Sequence, residues 1–164
     1  MSRHRLDFLS DLERRALWLA SWTIHNANYL REKSDMDVKV GGHQASSASL
    51  ATIMTALYFD VLRPQDRVAV KPHASPIFHA IQYLAGNQTR EKLQDFRKYK
   101  GAQSYPSRTK DVDDVDFSTG SVGLGVAQTL FSSLVQDYVA AHDWINPDEM
   151  GRMVALIGDA EMDE

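Results

Sequence analysis

The residues best suited to chemistry lie near residue 158, where an apolar run leads into a group of acids. Residues 153–157 are all apolar, and Gly158, Asp159 and further carboxylates follow them. A continuous apolar run of this kind is typical of a strand buried on both faces in a parallel sheet. Ligands in open α/β sheets bind beyond the carboxyl ends of the strands, so Asp159 could offer an oxygen ligand there. The alternatives are a plain turn for Gly158-Asp159 and a solvated first turn of a helix for Glu161 and its acidic neighbours.

Two histidines have similar surroundings. His43 follows two glycines and precedes a predicted helix that Ser46 or Ser47 would cap, and His73 follows a predicted short strand over 68–71. Each could be a site residue or an ordinary hydrogen-bonded loop residue. No role is assigned to the other histidines, which are His4, His25, His79 and His142.

Glycines also precede a predicted long helix from Val126 to about His142. Their order over 120–125 is G-x-x-G-x-G, which differs from the Rossmann order G-x-G-x-x-G. The spacing suits either close approach of a ligand to a helix N-terminus or tight helix packing. The stretch 101–116 shows no periodicity, which is usual for functional or mobile loops. Its acidic run, 111–116, lacks the closing glutamate of a calcium loop, so we expect a solvated surface loop.

Apolar spacing predicts the elements that must position these residues. Ser10–Glu13 has the form of a capping box, so the first helix is expected from about Asp11 to Arg31, with Trp18 and Trp22 as a second buried stripe. Further helices are predicted over 49–62, 77–84 and 87–100. The order of helices and strands fits a single α/β domain whose parallel sheet is flanked by helices.

Four candidate residues share one feature of this arrangement. His43, His73, Gly120 and Asp159 all lie in loops that end strands or begin helices, and such loops converge on one edge of a parallel sheet. The sequence therefore predicts a single cleft for an anionic, phosphorylated ligand with a divalent cation. Mg²⁺ is the expected cation, because it prefers oxygen ligands and is commonly shared with substrate phosphates.

Composition narrows the class of protein. The chain is 43% hydrophobic and 24% charged, as in ordinary soluble globular proteins, and its formal charge of −4 argues against nucleic acid as the main partner. There is no cysteine, so disulfides and thiolate metal sites are excluded. No stretch has the apolar length that a membrane span needs, so no membrane partner is expected.

Five motifs occur in a characteristic order. They are Gly-Gly-His-x-Ala-Ser at 41–46, His-x-Ser-Pro at 73–76, Ser-Tyr-Pro at 104–106, Gly-Ser-Val-Gly-Leu-Gly at 120–125 and Gly-Asp-Ala-Glu-Met-Asp-Glu at 158–164. Together they resemble the N-terminal, diphosphate-binding domain of the homodimeric pyruvate dehydrogenase E1 component, a transketolase-like thiamine diphosphate enzyme. The resemblance runs from about residue 12 to residue 164. Transketolase proper and 1-deoxyxylulose-5-phosphate synthase are less similar.

The resemblance implies roles for individual residues. Asp159 matches the aspartate that binds Mg²⁺, which holds the diphosphate of the cofactor, and Gly158 and Ala160 match the backbone around that diphosphate. His43 and His73 match histidines near the thiazolium that position substrate and move protons.

Further residues would line the cofactor site. Ser46 and Tyr105 match residues beside the cofactor, Gly120 belongs to the glycine-rich motif, and Val122 matches an apolar contact to the cofactor rings. Glu164 matches a carboxylate near the dimer interface, in a network that links two cofactor sites.

Two departures and two absences accompany the resemblance. Ala160 replaces the usual second glycine of Gly-Asp-Gly, and Lys71 stands where the pattern usually has glutamine. The asparagine that completes the metal shell and the glutamate that protonates the pyrimidine ring of the cofactor lie outside these 164 residues. Residues 1–164 are therefore expected to form one partial domain, which is inactive alone.

The resemblance also implies an activity and partners. The parent enzyme is expected to use thiamine diphosphate and Mg²⁺ to decarboxylate pyruvate and transfer the acetyl group to lipoamide. Its partners would be the remainder of the E1 chain, a second subunit of the homodimer and the lipoyl-bearing E2 component, in the cytoplasm. The alternatives are two-carbon transfer between sugar phosphates, as in transketolase, and a non-catalytic domain that binds diphosphate or a partner chain.

Overall fold

The structure, a computed structural model, describes residues 3–32 and 40–163. Its helices are α1 (Arg3–His25), α2 (Gln44–Ala56), α3 (Ser75–Leu84), α4 (Arg90–Gln94) and α5 (Leu124–Ala141), and its strands are β1 (Arg67–Ala69) and β2 (Met153–Ala155). Turns of π-helix at Asn26–Leu30 and Leu57–Val61 extend α1 and α2. Short 3-10 helices lie at Pro72–Ala74, Pro147–Glu149 and Asp159–Met162.

β1 and β2 pair in parallel, with Val68 opposite Val154. At the end of the pair, the amide of Leu156 donates to the carbonyl of Ala69 at 2.9 Å. The prediction of a parallel sheet flanked by helices is confirmed in its general form. The sheet is small, since it has two strands of three residues each in the described part of the chain, and most of the core is helical.

The main core lies between the sheet and three helices. α1, α2 and α3 pack against one another, and α1 contributes only small side chains at the centre, which lets its neighbours approach closely. Val68 and Val70 of the β1 segment, with Val154 and Leu156 of the β2 segment, face this core. The largest fully buried side chains include Phe78, Ile77, Ile81 and Met54.

α5 packs on the opposite face of the sheet. Ala69 faces it, because alternate residues of a strand point to opposite faces. An added Cβ at Gly125 would lie 3.2 Å from the Cβ of Ala69, so α5 begins in close contact with β1. The tight-packing interpretation of the glycine motif therefore holds for Gly125. Gly123 has a different role, since it precedes α5 with a left-handed φ of 78°.

The outer face of α5 is apolar and exposed. Within the helix only Thr129 is buried. Leu130, Phe131, Leu134 and Val135 are all more than half exposed. No helix in the described ranges is long and apolar enough to cross a membrane.

Several predicted helix features differ from the structure. Ser10 lies inside α1, and Ser46 and Ser47 lie inside α2, which begins directly after His43, so none of these serines caps a helix. The prediction of a buried tryptophan stripe is wrong, because Trp18 is 63% exposed and stacks on Trp22 along the outside of α1.

The predicted helix over 87–100 is shorter than expected. It ends with α4, because Arg97 and Lys100 adopt positive φ values of 64° and 61° that no α-helix allows. Leu93 and Phe96, which the apolar spacing of this segment places on its inner face, are buried.

The prediction that the last strand is buried on both faces is also wrong. Met153, Val154 and Ala155 are only half-buried. β2 has no neighbouring strand on its second edge among the described residues, so that edge stays accessible.

A buried carboxylate holds the beginnings of the two strands together. Asp66, just before β1, accepts hydrogen bonds from the amide of Arg152 at 2.7 Å and from its guanidinium at 2.5 Å and 3.1 Å. It also accepts from the amide of Arg63 at 2.9 Å. The hydrogen bonds from the Arg152 side chain are the largest cause of a pKa of Asp66 far below its usual range.

We expect Asp66→Asn to lower the free energy of unfolding by about 2–3 kcal/mol, because one partner of a buried, charge-assisted cluster is lost. A carboxyl whose pKa is lowered by folding stabilises the fold above its unfolded pKa of about 4, and this contribution disappears as the pH falls toward the folded pKa. The wild type should therefore lose more stability than D66N between pH 6 and pH 3.

Urea unfolding at both pH values measures the difference. Asp11→Asn is the control, because Asp11 forms an exposed ion pair with Arg14 and should behave like the wild type. Equal pH dependence in D66N and the wild type would contradict the assignment.

Candidate functional site

His43 and His73 lie face to face beyond the carboxyl end of β1. Their ring centroids are 4.2 Å apart with an interplanar angle of 24°. His43 is the residue before α2, and His73 lies in the 3-10 helix that follows β1. The structure thus brings together the two histidines that the sequence singles out.

The electrostatic surroundings keep His43 neutral. Although the residue is exposed overall, partial burial of its ring is the largest cause of a lowered pKa of His43, and electrostatic repulsion from His73, Arg97 and Lys71 lowers it further. At neutral pH His43 is therefore a neutral imidazole, which can accept a proton.

Tyr105 and Gly120 lie next to this pair. The ring centroid of Tyr105 is 6.0 Å from that of His73. An added Cβ at Gly120 would lie 4.0 Å from Cδ2 of Tyr105. The hydroxyl of Ser75, in the first turn of α3, donates to the carbonyl of Ser104 at 2.5 Å and thereby holds the loop that carries Tyr105.

Gly158 and Asp159 follow β2 at the same edge of the sheet. Gly158 has a φ of −93°, which any residue can adopt, so it makes no left-handed turn. An added Cβ there would lie 2.8 Å from Nζ of Lys71, which follows β1. Asp159 and Ala160 are exposed at the start of a 3-10 helix, and Ala160 has no positive φ, so alanine fits where the family pattern has glycine.

Glu161 has a role that the sequence did not reveal. The alternative of a solvated first turn is wrong for Glu161, which is only 9% exposed. Its carboxylate accepts from the amide of Gly158 at 2.6 Å and from that of Gly123 at 3.5 Å. It therefore joins the turn after β2 to the start of α5. A glutamate three residues into a helical turn commonly binds the amide at the start of that turn, and this was the available signal.

The other predicted site residues are less closely connected. Ser46 is half-buried, and its hydroxyl oxygen is buried without a hydrogen-bond partner among the described residues. Val122 is half-buried in the loop before α5. Glu164 lies outside the described residues.

A second polar cluster lies beneath the Tyr105 loop. His79 of α3 is fully buried, and its Nδ1 lies 2.6 Å from a carboxylate oxygen of Asp113. Its Nε2 lies 3.0 Å from the carbonyl oxygen of Gln103. Both ring nitrogens face acceptors, and this arrangement favours the imidazolium, which donates through both nitrogens. His79 thus ties the loop to α3.

The acidic run around residue 111 is not the solvated loop that we expected. Asp113 is buried, and Asp111 accepts from the amides of Gln103 at 2.9 Å and Ser107 at 2.8 Å. Asp116 accepts from the amide of Val68 at 2.8 Å. The carboxylates replace backbone partners that an irregular loop lacks.

His79, Asp111 and Asp113 are close enough to share a metal ion. A metal ion would have to displace the protons of His79 and the amides that Asp111 already binds. We therefore interpret the cluster as a clamp for the loop rather than as a metal centre.

Known proteins resemble the chain over almost its whole length. It is 31% identical to the pyruvate dehydrogenase E1 component of Escherichia coli (strain K12) over 94% of the chain. It is 32% identical to the one of Mycolicibacterium smegmatis (strain ATCC 700084 / mc(2)155), also over 94% of the chain. The matched segments make up 18% and 17% of these relatives, so the chain spans less than a fifth of their length. No protein-family model matches the chain.

These similarities first define the class: the chain is related to a component of an oxidoreductase. More particularly, it belongs with the pyruvate dehydrogenase E1 components, of which it corresponds to a segment.

The His79 clamp predicts a pH dependence of stability. Burial disfavours the imidazolium, but the hydrogen bond and charge of Asp113, with the charge of Asp111, outweigh it and raise the pKa of His79. A raised histidine pKa stabilises the fold fully below the unfolded value of about 6.5, and this contribution is lost as the pH rises through the folded-state pKa.

We expect His79→Gln to lower the free energy of unfolding by about 2–3 kcal/mol at pH 6 and by less at pH 9. Urea unfolding at the two pH values measures this, and His142→Gln at an exposed position is the control. A deficit in H79Q that is the same at both pH values would rule out the imidazolium.

Proposed function

We propose that this chain is the diphosphate-binding segment of a pyruvate dehydrogenase E1-type enzyme that uses thiamine diphosphate and Mg²⁺. One observation carries the proposal: the His43–His73 pair and the Gly158-Asp159 turn lie beyond the carboxyl ends of two adjacent parallel strands. This is where open α/β sheets bind ligands. The names of the relatives support the assignment to pyruvate dehydrogenase.

The residues present fit a diphosphate with its metal ion. Asp159 is exposed and offers a carboxylate oxygen, the ligand that Mg²⁺ prefers. The space left by the missing side chain of Gly158 holds the ammonium end of Lys71, which could meet a phosphate. The hydroxyl of Ser46, which has no hydrogen-bond partner in the described part of the chain, is a further polar group, buried in the first turns of α2.

Within this proposal each residue has a separate task. Asp159 would hold the metal ion, while Gly158 and Ala160 present backbone to the diphosphate. Glu161 would orient the Gly158 amide from its buried position.

The histidines would act on the substrate. Thiamine diphosphate supplies the thiazolium at which a 2-oxo acid is decarboxylated. His43, neutral because burial and neighbouring cations lower its pKa, would take up a proton, and His73 would orient the substrate beside it. Tyr105, Gly120 and Val122 would line the cofactor side of the cleft. Transfer of the acetyl group to the lipoyl group of an E2 component, in the cytoplasm, belongs to this proposal.

Calorimetric titration of the purified chain with thiamine diphosphate tests the cofactor. We expect saturable binding that requires Mg²⁺ and that falls at least about tenfold in Asp159→Asn, because a charged metal ligand is removed. Asp148→Asn is the control, since Asp148 is exposed in the connector before β2. Absence of Mg²⁺-dependent binding by the wild type, with the chain folded by circular dichroism, would argue for a non-catalytic domain.

The exposed face of α5 supports the proposed partners. Contiguous exposed apolar side chains usually mark an interaction surface. We propose that this face contacts a second subunit or the remainder of an E1 chain.

Replacing Leu130 and Leu134, both exposed on this face, with lysine should abolish self-association, because a charge would have to be buried in the contact. Sedimentation velocity at several concentrations measures the effect. Replacing the exposed Leu6 and Phe8 of α1 with lysine is the matched control. A double variant L130K/L134K that associates like the wild type would exclude this face from a homodimer interface.

A further inference from the structure

The loop after α4 is tightly constrained. Its backbone folds back so that the amide of Arg97 donates to the carbonyl of Ala102 at 2.9 Å and the amide of Ala102 donates to the carbonyl of Lys92 at 3.1 Å. An added Cβ at Gly101 would lie 1.8 Å from the carbonyl oxygen of Asp95, so only glycine fits there. The loop is therefore fixed rather than pliable.

Two of its residues have an unfavourable backbone. Arg97 and Lys100 have φ values of 64° and 61°, in the left-handed region that residues with a Cβ rarely adopt. Such conformations persist only where the surroundings enforce them, and they concentrate at binding sites. Here they belong to two cations that face the same cavity.

The cavity is an open depression of about 460 Å³, lined by Arg97, Lys98, Tyr99, Lys100, Gln103 and Lys110. Its size lies within the usual range for small-molecule pockets, about 300–1,000 Å³. Four of the six lining residues are cationic, in a chain whose formal charge is −4.

These cations are poorly neutralised. In the described part of the chain Lys98 is the one cation of the four with a carboxylate partner, Asp95 at 3.5 Å. The nearby carboxylate of Asp111 is already engaged by two backbone amides. Nη1 of Arg97 donates to the carbonyl of Val40 at 2.6 Å, while its Nε is buried without a hydrogen-bond partner among the described residues. Gathering like charges in one place is unfavourable, and an anion bound among them would relieve the repulsion.

We propose that this cavity binds a small phosphorylated organic compound. The phosphoryl group would face Lys100 and Lys110 beside Arg97, because a dianion neutralises several cations at once. The exposed ring of Tyr99 and the amide of Gln103 would contact the organic part. The site is separate from the Gly158-Asp159 turn, and the inference does not depend on the proposed thiamine diphosphate chemistry.

Calorimetry with glycerol 3-phosphate tests this, using the purified chain in 0.15 M KCl without thiamine diphosphate or Mg²⁺. We expect saturable binding to one site, no binding of glycerol, and weaker binding of inorganic phosphate. Lys100→Gln with Lys110→Gln should weaken binding about tenfold, because two charge-assisted contacts are lost.

Two control variants make the test specific. The pair Arg3→Gln and Arg15→Gln removes the same charge at exposed positions outside the cavity, and it should leave the affinity within about twofold of the wild type. Asp159→Asn should also leave it unchanged. Circular dichroism melting confirms that each variant is folded.

The inference fails if the wild type shows no saturation below about 20 mM, a range that still detects millimolar affinity. It also fails if K100Q/K110Q and R3Q/R15Q lose affinity equally, since the overall electrostatic field of the chain, rather than this cavity, would then account for the binding. Equal binding of inorganic phosphate and glycerol 3-phosphate would overturn the assignment of Tyr99 and Gln103 to the organic part.

Discussion

The parallel pairing of β1 with β2 is the constraint on which the rest of the structure depends. The two strands are far apart in sequence, and Asp66 fixes their beginnings by binding Arg152. Once the strands start together, the segments after them also end together. Lys71 and His73 then emerge beside Gly158 and Asp159, so the candidate site follows from register.

Charged side chains that are buried or partly buried hold much of the irregular backbone in place. A chain with so small a sheet has many backbone groups outside regular hydrogen bonding, and the carboxylates of Asp111, Asp116 and Glu161 accept from several of them. His79 provides the positive counterpart through Asp113. Irregular loops in this way gain hydrogen-bond partners for backbone amides that regular secondary structure would otherwise supply.

The sequence predicts the helical elements and the convergence of the loops well, because apolar spacing and strand order are local signals. The juxtaposition of His43 and His73 follows from them, as does the burial of Leu93 and Phe96. Helix beginnings are predicted poorly, since serines inside α1 and α2 resemble caps. The burial of Asp113 is missed because its partner, His79, is distant in sequence. For Glu161 the bond to the Gly158 amide has a local signal, but its second partner, the Gly123 amide, is distant in sequence.

The contact between Gly125 and Ala69 has a mechanical consequence. Because the two residues are in direct contact, a shift of α5 along the sheet would also move its first turn and the Gly123 amide. Glu161 accepts a hydrogen bond from that amide with one carboxylate oxygen and from the Gly158 amide with the other. Because one side chain binds both amides, the position of the start of α5 is coupled to the position of the backbone beside Asp159.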